Sequence, residues 1–332
     1  MRGGKGSNKK ITMKDIAELA GVTKTTISRY FNGGYIKKET KEKIAKIIKK
    51  YNYEPNTFAR LNAKQSRMIG IIVPALDSIV GSRVLTGLER TFREKHYMPI
   101  IMNTNHESVL ELKYIEKLKR LNVDGIVLSA TEITDEHRKL LKKLDIPIVI
   151  YGQEYSDGIS IVNDDYNAGV EIGEYIGRKK HKNVGFIAVD EKDVAIGVTR
   201  RNGVLDGLSH YKIMDVSIAI ADFSYESAMV ATKELLKYKK LDAIICSTDR
   251  QAHGVYKVIK ERGLKMPEDV SVISFGGYEI DEIIEPRLST IKFDSLNAGI
   301  CAANTLIDLI NKVEVRNVLY INYEFIEGES VR

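Results

Sequence analysis

The stretch ITMKDIAELAGVTKTTISRYFNGG, residues 11–34, sets two short amphipathic helices around a single glycine. Thr12 followed by Asp15 has the spacing of a capping box, with Asp in place of the usual Glu or Gln, and predicts a helix over 13–20. Gly21 supplies the turn residue, and Thr23 is placed to cap a second helix running to about Tyr30, which Asn32-Gly33-Gly34 breaks. Small Ala17 lets the helices approach, and Val22 and Ile27 pack the pair. Lys24, Thr25, Ser28 and Arg29 are left projecting from the second helix. Such a helix fits the major groove of duplex DNA, where an Arg can contact guanine bidentately. Lys24 and Thr25 stand at the helix start, where base edges are usually read. Asn32 and the hydroxyls of Thr23 and Ser28 suit phosphate contacts, which position rather than specify. The other reading is an ordinary three-helix packing unit with solvated polar residues.

The distribution of charge favours the DNA reading. The net charge of +6 over 332 residues conceals an asymmetry: residues 1–67 hold 17 Lys/Arg against 5 Asp/Glu, and the rest hold 34 against 40. A basic head on a mildly acidic body points to a polyanion as partner of the head alone. Outward from the quoted stretch, residues 1–10 read as a disordered basic arm without the apolar segment of a secretory signal. A third helix is expected from about Glu39 to Tyr51, with Ile44, Ile47 and Ile48 on one face. Pro55 closes the unit, so the expected domains are 11–55 for the helical head, 56–67 for a hinge and linker, and 68–332 for the body.

From Met68 the texture changes to short β-branched runs alternating with helical stretches. Strands are expected over 68–73, 97–102, 125–129, 146–151, 183–189, 242–247 and 269–275, and amphipathic helices over 109–121, 167–179, 225–237 and 252–262. This alternation indicates parallel sheets covered by helices on both faces, and unbroken apolar runs fit strands buried on both sides. The strand count calls for two lobes. The fold class is therefore α/β, with a helical N-terminal domain.

Several function classes find no support. No apolar run approaches the ~18 residues of a membrane span. The two cysteines, Cys246 and Cys301, lack pairing or metal-ligand spacing and read as buried reduced thiols, consistent with a cytoplasm. The motifs G-x-S-x-G, P-loop, G-x-G-x-x-G and H-E-x-x-H are absent, and the six histidines are scattered. No catalytic residue, metal ligand or cofactor is assigned, and the chain reads as a binding protein rather than an enzyme.

The head resembles the N-terminus of the lactose/galactose repressor family of bacterial transcription regulators. Asp15-Ile16-Ala17, Ala20-Gly21-Val22-Thr23 and Thr26-Ile27-Ser28-Arg29 match its diagnostic pattern, as do ETKEKI (39–44) and YNYEPN (51–56), and the likeness runs nearly to the C-terminus. The resemblance implies a helix-turn-helix joined to a two-lobed, periplasmic-binding-protein-like core. It also implies a homodimer on a palindromic double-stranded operator, released or modulated by a sugar or sugar phosphate. It further implies that the segment after Pro55-Asn56 forms a hinge helix that wedges a leucine into the minor groove. Relatives usually place that leucine six residues after the Asn. Here Leu61 comes five after Asn56, and one residue fewer rotates the downstream side chains by about 100° on a helix.

For the body, the resemblance implies effector contacts from Arg200 in TRRNG, the pair Thr248-Asp249 in ICSTDRQAHG, and Phe223 as an aromatic against a sugar face. Asp77 and Ser78 follow the first strand, and Gln153 and Asn163 to Asp165 follow strand ends, where ligands of parallel sheets gather. Asp249 and Asp165 equally read as helix caps, and Phe223 as core. Two departures stand out: Gly276-Gly277 occupy a position where many relatives carry Asp, and Phe293 stands where several have a polar residue. The cleft is thus expected to have one carboxylate fewer, a loss that suits a phosphorylated ligand. The patterns IVPALDSIVGSRVL and VDEKDVAIGVTRRNG look closest to sucrose- and trehalose-type repressors. A global catabolite-type regulator controlled by a phosphorylated partner protein is the alternative on the same fold. Leu61→Ala is expected to lower operator affinity and reduce the induced bend, read by gel shift and by phasing of bent fragments; unchanged values would exclude the wedge role.

Overall fold

The computed structural model describes residues 11–31, 34–53, 65–238 and 240–332. The chain divides into two compact units, 1–66 and 67–332. The expectations at Asn32, Asn56, Leu61 and residues 1–10 lie outside the described residues.

The first unit holds α1 (Met13–Ala20), α2 (Lys24–Phe31) and α3 (Lys38–Tyr51). The capping box of α1 forms: Thr12 N–H donates to Asp15 Oδ2 at 2.7 Å, and Asp15 N–H donates to Thr12 Oγ1 at 3.4 Å. Gly21 ends α1 in the left-handed region at φ +65°, where a side chain would be strained, and Val22 N–H closes the turn on Ala17 O at 3.0 Å. Thr23 Oγ1 then caps α2 by accepting from Thr26 N–H at 3.2 Å. Ile16, Ala17, Ala20, Ile27, Ile44 and Tyr53 form the small core.

In the second unit, one lobe is built from β1 (Met68–Val73), α4 (Ile79–Glu94), β2 (Met98–Asn103), α5 (Ser108–Arg120), β3 (Gly125–Ser129), α6 (Asp135–Leu141), β4 (Ile148–Tyr151) and β5 (Ile159–Asn163). Helix α7 (Asp165–Arg178) carries the chain into the other lobe. There β6 (Val184–Ala188) leads to a π-helical turn (Val194–Arg200), α8 (Arg201–Ser209), β7 (Ser217–Ile220), α9 (Tyr225–Tyr238) and β8 (Ala243–Cys246). The same lobe continues with α10 (Asp249–Glu261), β9 (Ser271–Phe275), a 3₁₀ turn (Glu279–Glu282) and β10 (Ser289–Phe293). Helix α11 (Ser295–Ile310) returns to the first lobe for β11 (Val318–Ile321), and β12 (Tyr323–Ile326) lies in the second.

The two six-stranded sheets have the same order, β11-β5-β4-β3-β1-β2 and β12-β10-β9-β8-β6-β7. Every pairing is parallel except β12 on β10. The lobes thus share one strand order and differ in the direction of the last strand, although no short sequence repeat announces the likeness. The chain crosses between them three times, and the crossings are tied by Asp164 N–H to Ile321 O (3.4 Å) and Asp294 N–H to Asn322 O (3.2 Å). Strands β1, β6, β8 and β9 are buried along their whole length, as sheets sandwiched by helices require.

All seven expected strands are present: β1 and β3 have the expected bounds, β2 is shifted by one residue, and β4, β6, β8 and β9 are shorter by one or two residues at an end. Five more, β5, β7, β10, β11 and β12, lie outside the expectation. Strands β7, β11 and β12 are sheet edges, part-exposed, and β5, β7, β10 and β12 carry Ser, Thr, Lys, Asn or Glu, while the apolar run of β11 is only four residues long. Cys246 is buried, but Cys301 is only half-buried, at the margin of the first lobe's core; both are free thiols.

Helices α7 and α8 meet backbone to backbone. A Cβ on Gly173 would stand 2.4 Å from Val204 O and 2.7 Å from Leu208 N, atoms that cannot swing aside. Gly173→Ala is therefore expected to cost about 1–3 kcal/mol by overpacking, read as a lowered melting temperature; an unchanged melting curve would show that the helices can part freely.

Candidate functional site: an exposed recognition helix and an inter-lobe cleft

On α2, Thr23, Lys24, Thr25 and Arg29 are exposed and Ser28 is half-buried, while Ile27 is fully buried against α1 and α3. The helix is therefore anchored by one face and offers the other. Lysines 41, 43, 46, 49 and 50 on α3 extend the positive surface of the same unit. The arrangement is that of a helix-turn-helix whose second helix is free to enter a groove.

In the second unit, a cavity of about 1080 Å³ opens where the carboxyl ends of both sheets face each other. This is the topological switch point of each sheet, where the strand order reverses and the connecting loops diverge. From the sequence-derived set, Asp77, Ser78, Gln153, Arg200, Phe223, Thr248 and Phe293 all line it, as do Asn163 and Asp165. Arg200 ends the π-helical turn, a distortion often found at functional sites. It is 4 % exposed. Its Nε donates to Asp165 Oδ1 at 2.9 Å, its Nη2 to the same oxygen at 2.5 Å, and its Nη1 to Ser247 O at 2.7 Å. The guanidinium carbon lies 4.6 Å from the Phe275 ring centre and 5.3 Å from that of Phe293. Phe293 thus supports Arg200 as well as lining the cleft.

Phe223 is half-buried and stacks on His106 of the opposite lobe, with centroids 5.7 Å apart and rings 16° from parallel. Other contacts also bridge the lobes. Gln153 Nε2 donates to Asp193 Oδ1 (3.2 Å), Arg250 Nη1 to Asp77 Oδ2 (3.2 Å), and Arg83 Nη1 to Gly277 O (3.0 Å). The Arg250 hydrogen bond holds the Asp77 carboxyl below its usual range, and burial raises that of Asp193.

Three expectations are corrected. Asp249 does not line the cavity. It is fully buried, and its carboxylate accepts from Ser274 Oγ (2.6 Å), Thr290 Oγ1 (2.7 Å) and Tyr278 N–H (3.2 Å), so no oxygen is left for an effector. The cap of α10 is Thr248, whose Oγ1 accepts from Gln251 N–H, and the cap of α7 is Asp164 rather than Asp165. Nor is the cleft poor in carboxylates, because Asp190, Asp193 and Asp222 line it. The glycine at 276 follows from Asp249: at φ +155°, a Cβ there would stand 2.3 Å from Asp249 Oδ2.

Sequence reasoning missed Asn103, Asn105, His106, Lys192, Asp193, Arg250 and Tyr278. Most of them follow the carboxyl ends of β2, β6, β8 and β9, and position after a parallel strand was the available signal. Among the described residues no group of three or more His, Cys, Asp or Glu is placed to hold a metal, and no helix is long and apolar enough to cross a membrane.

Comparison with known proteins agrees with this architecture. Residues 12–56 match the family described as "Bacterial regulatory proteins, lacI family", and residues 66–329 match "Periplasmic binding proteins and sugar binding domain of LacI family". The chain is 34 % identical over 312 residues to the sucrose operon repressor of Staphylococcus xylosus, spanning 93 % of this chain and 97 % of that protein. It is 30 % identical over 317 residues to catabolite control protein A of Staphylococcus epidermidis, spanning 92 % and 94 %. The lac repressor dimer bound to operator and the anti-inducer ONPF shares the fold, with a TM-score of 0.86 at 21 % identity over 97 % of this chain and 99 % of that one. The protein belongs to the lacI family of bacterial regulators. Within it, this chain is a DNA-binding transcription repressor, similar over most of its length to a sucrose operon repressor.

Burial and the neighbouring Asp281 push the Asp249 carboxyl well above its ordinary value. In the unfolded chain it ionises near pH ~3.9, so in the interval above that value the folded state binds more protons than the unfolded state. The stability it contributes is full below the unfolded value and is lost as the pH climbs through the raised folded one. Asp249→Asn, which keeps the shape and stays neutral, is expected to flatten this slope in urea melts taken across that range; an unaltered slope would show that Asp249 is ionised in the fold.

Proposed function

We propose that the protein represses a sugar-utilisation operon as a cytoplasmic homodimer on a palindromic double-stranded operator. The cap Thr23 and Lys24, Thr25, Ser28 and Arg29 of α2, with Asn32, Asn56 and Leu61, contact DNA. Asp77, Ser78, Gln153, Arg200, Phe223, Thr248 and Phe293 contact a sugar-type effector, with a sucrose-type disaccharide as first choice. The observation that carries the reading is the cavity of about 1080 Å³ at the carboxyl ends of both sheets, with buried Arg200 on one wall and the Phe223 ring on another. Planar donors for hydroxyl groups and an aromatic platform for an apolar C–H face are what saccharide recognition requires. The protein acts by binding, with no turnover of the ligand.

A single helix-turn-helix buries too little surface for a specific site, so two heads reading half-sites one turn apart account for specificity. The contacts that bridge the lobes provide the coupling. A ligand that changes how they meet changes the relation between protomers and hence the spacing of the heads, and the effect is reciprocal between DNA and sugar. The similarity to catabolite control protein A favours a second reading, control by a phosphorylated partner protein. Operator binding measured with each candidate separates the two.

The expected outcome is operator affinity that falls steeply with salt, as counterion release demands, and that a disaccharide alters with no added protein. Arg29→Ala should cost about 1–3 kcal/mol and relax preference at one base pair. DNA affinity indifferent to every sugar tested, in fluorescence anisotropy, would remove the effector role of the cleft.

A further inference from the structure

Accepting the cleft as an effector site, we infer that it takes an uncharged saccharide and discriminates against the phosphate ester of that same sugar. The inference rests on what remains of the charged groups once those already paired within the protein are set aside. The charge of Arg200 is balanced by Asp165, and three of its five N–H groups are committed, two to one carboxylate oxygen and one to Ser247 O, which leaves N–H donors for hydroxyl groups but no net charge. Arg250 is engaged with Asp77 at 3.2 Å across the mouth. Of the remaining lining groups, His253 is paired with Asp281, which leaves Lys192 and the imidazole of His106, stacked on Phe223, against three carboxylates, Asp190, Asp193 and Asp222. Lys192 is itself set between acidic residues in the run Asp190-Glu191-Lys192-Asp193, and its own backbone N–H donates to Asp190 Oδ1 at 2.9 Å. A phosphate group brought here meets a surplus of negative charge, screened by solvent at exposed Asp190 and Asp222 and less so at half-buried Asp193.

Donor and acceptor chemistry points the same way. Carboxylates accept hydrogen bonds and donate none, so Asp190, Asp193 and Asp222 pair with hydroxyl groups and not with phosphate oxygens. The helix starts at the cleft would be the natural anion sites, but each already carries a side-chain oxygen on its first turn. Ser78 Oγ accepts from Gly81 N–H, Asp193 Oδ1 from Ile196 N–H and Thr248 Oγ1 from Gln251 N–H. At the π-helical turn that oxygen is itself a carboxylate. The loss of a carboxylate at Gly276 is therefore more than made good from the loop after β6, and the balance of the wall favours a neutral polyol.

Isothermal titration calorimetry on the full chain at low ionic strength tests this, using sucrose, trehalose, maltose and cellobiose with the 6-phosphate of each. The expected result is that a free disaccharide binds at least about tenfold tighter than its own ester, 1.4 kcal/mol per decade. The gap should narrow about threefold or more in the double variant Asp190→Asn/Asp222→Asn, whose sites are exposed, and also on raising salt, which screens exposed charge. An ester binding as tightly as its parent sugar, or tighter, overturns the inference while leaving the effector role of the cleft intact. If neither form of any of these sugars binds, the effector role itself falls and this inference with it.

Discussion

The Arg200 guanidinium gathers the ends of five segments. It terminates the π-helical turn, pairs with Asp165 at the start of α7, donates to the carbonyl after β8, and lies against the last residues of β9 and β10. Removing a charge of this kind from water is costly unless a partner and hydrogen bonds compensate it. Here they do, so the pair dictates where five chain ends lie. The π-helical turn that delivers Arg200 and the aromatic rings that flank it serve that need. Because α7 is also a crossing between lobes, the constraint at the cleft floor reaches the hinge directly.

A second dependency runs through Asp249. Its carboxylate ties α10, β9 and β10 together beneath the cleft and excludes a side chain at position 276. The position where the family resemblance led to the expectation of an Asp is thereby left to backbone, and the acidic groups of the cleft come instead from the loop after β6 and from Asp222. The cleft is a redistribution of charge and not a depletion of it. A comparison of single positions along the chain cannot see this, because the compensating carboxylates are distant in sequence from the glycine they offset.

The head and the body carry their signals differently. In the head, Thr12, Asp15, Gly21 and Thr23 act on backbone groups no more than a few residues away, so the capping box, the left-handed turn and the second cap are all legible in the amino-acid sequence. The buried strands of the body are legible for a related reason, since a strand covered on both faces has to be a continuous apolar run. The strands that escaped, β5, β7, β10, β11 and β12, lie at edges or next to the lobe crossings, where one face or one end meets water or polar neighbours. Their sequences are short, four or five residues, and all but that of β11 are mixed, so they carry little periodicity.

What the amino-acid sequence determined by itself, then, was whatever local chemistry settles. That includes a three-helix head with Lys24, Thr25 and Arg29 turned outward, a body of alternating strands and helices, and cleft residues that follow strand ends, such as Gln153, Arg200 and Phe223. The tertiary structure alone decided which polar groups are free to meet a ligand. Asp249 and Thr248 are neighbours in the chain, yet burial and three protein donors withdraw the carboxylate while the threonine stays at the cavity wall. Asp193 and Gln153, or Asp77 and Arg250, find each other only because two sheets of one strand order face each other across the hinge. Hydrogen bonds and ion pairs between distant segments depend on where the chain returns in space, and no spacing in the sequence encodes that return.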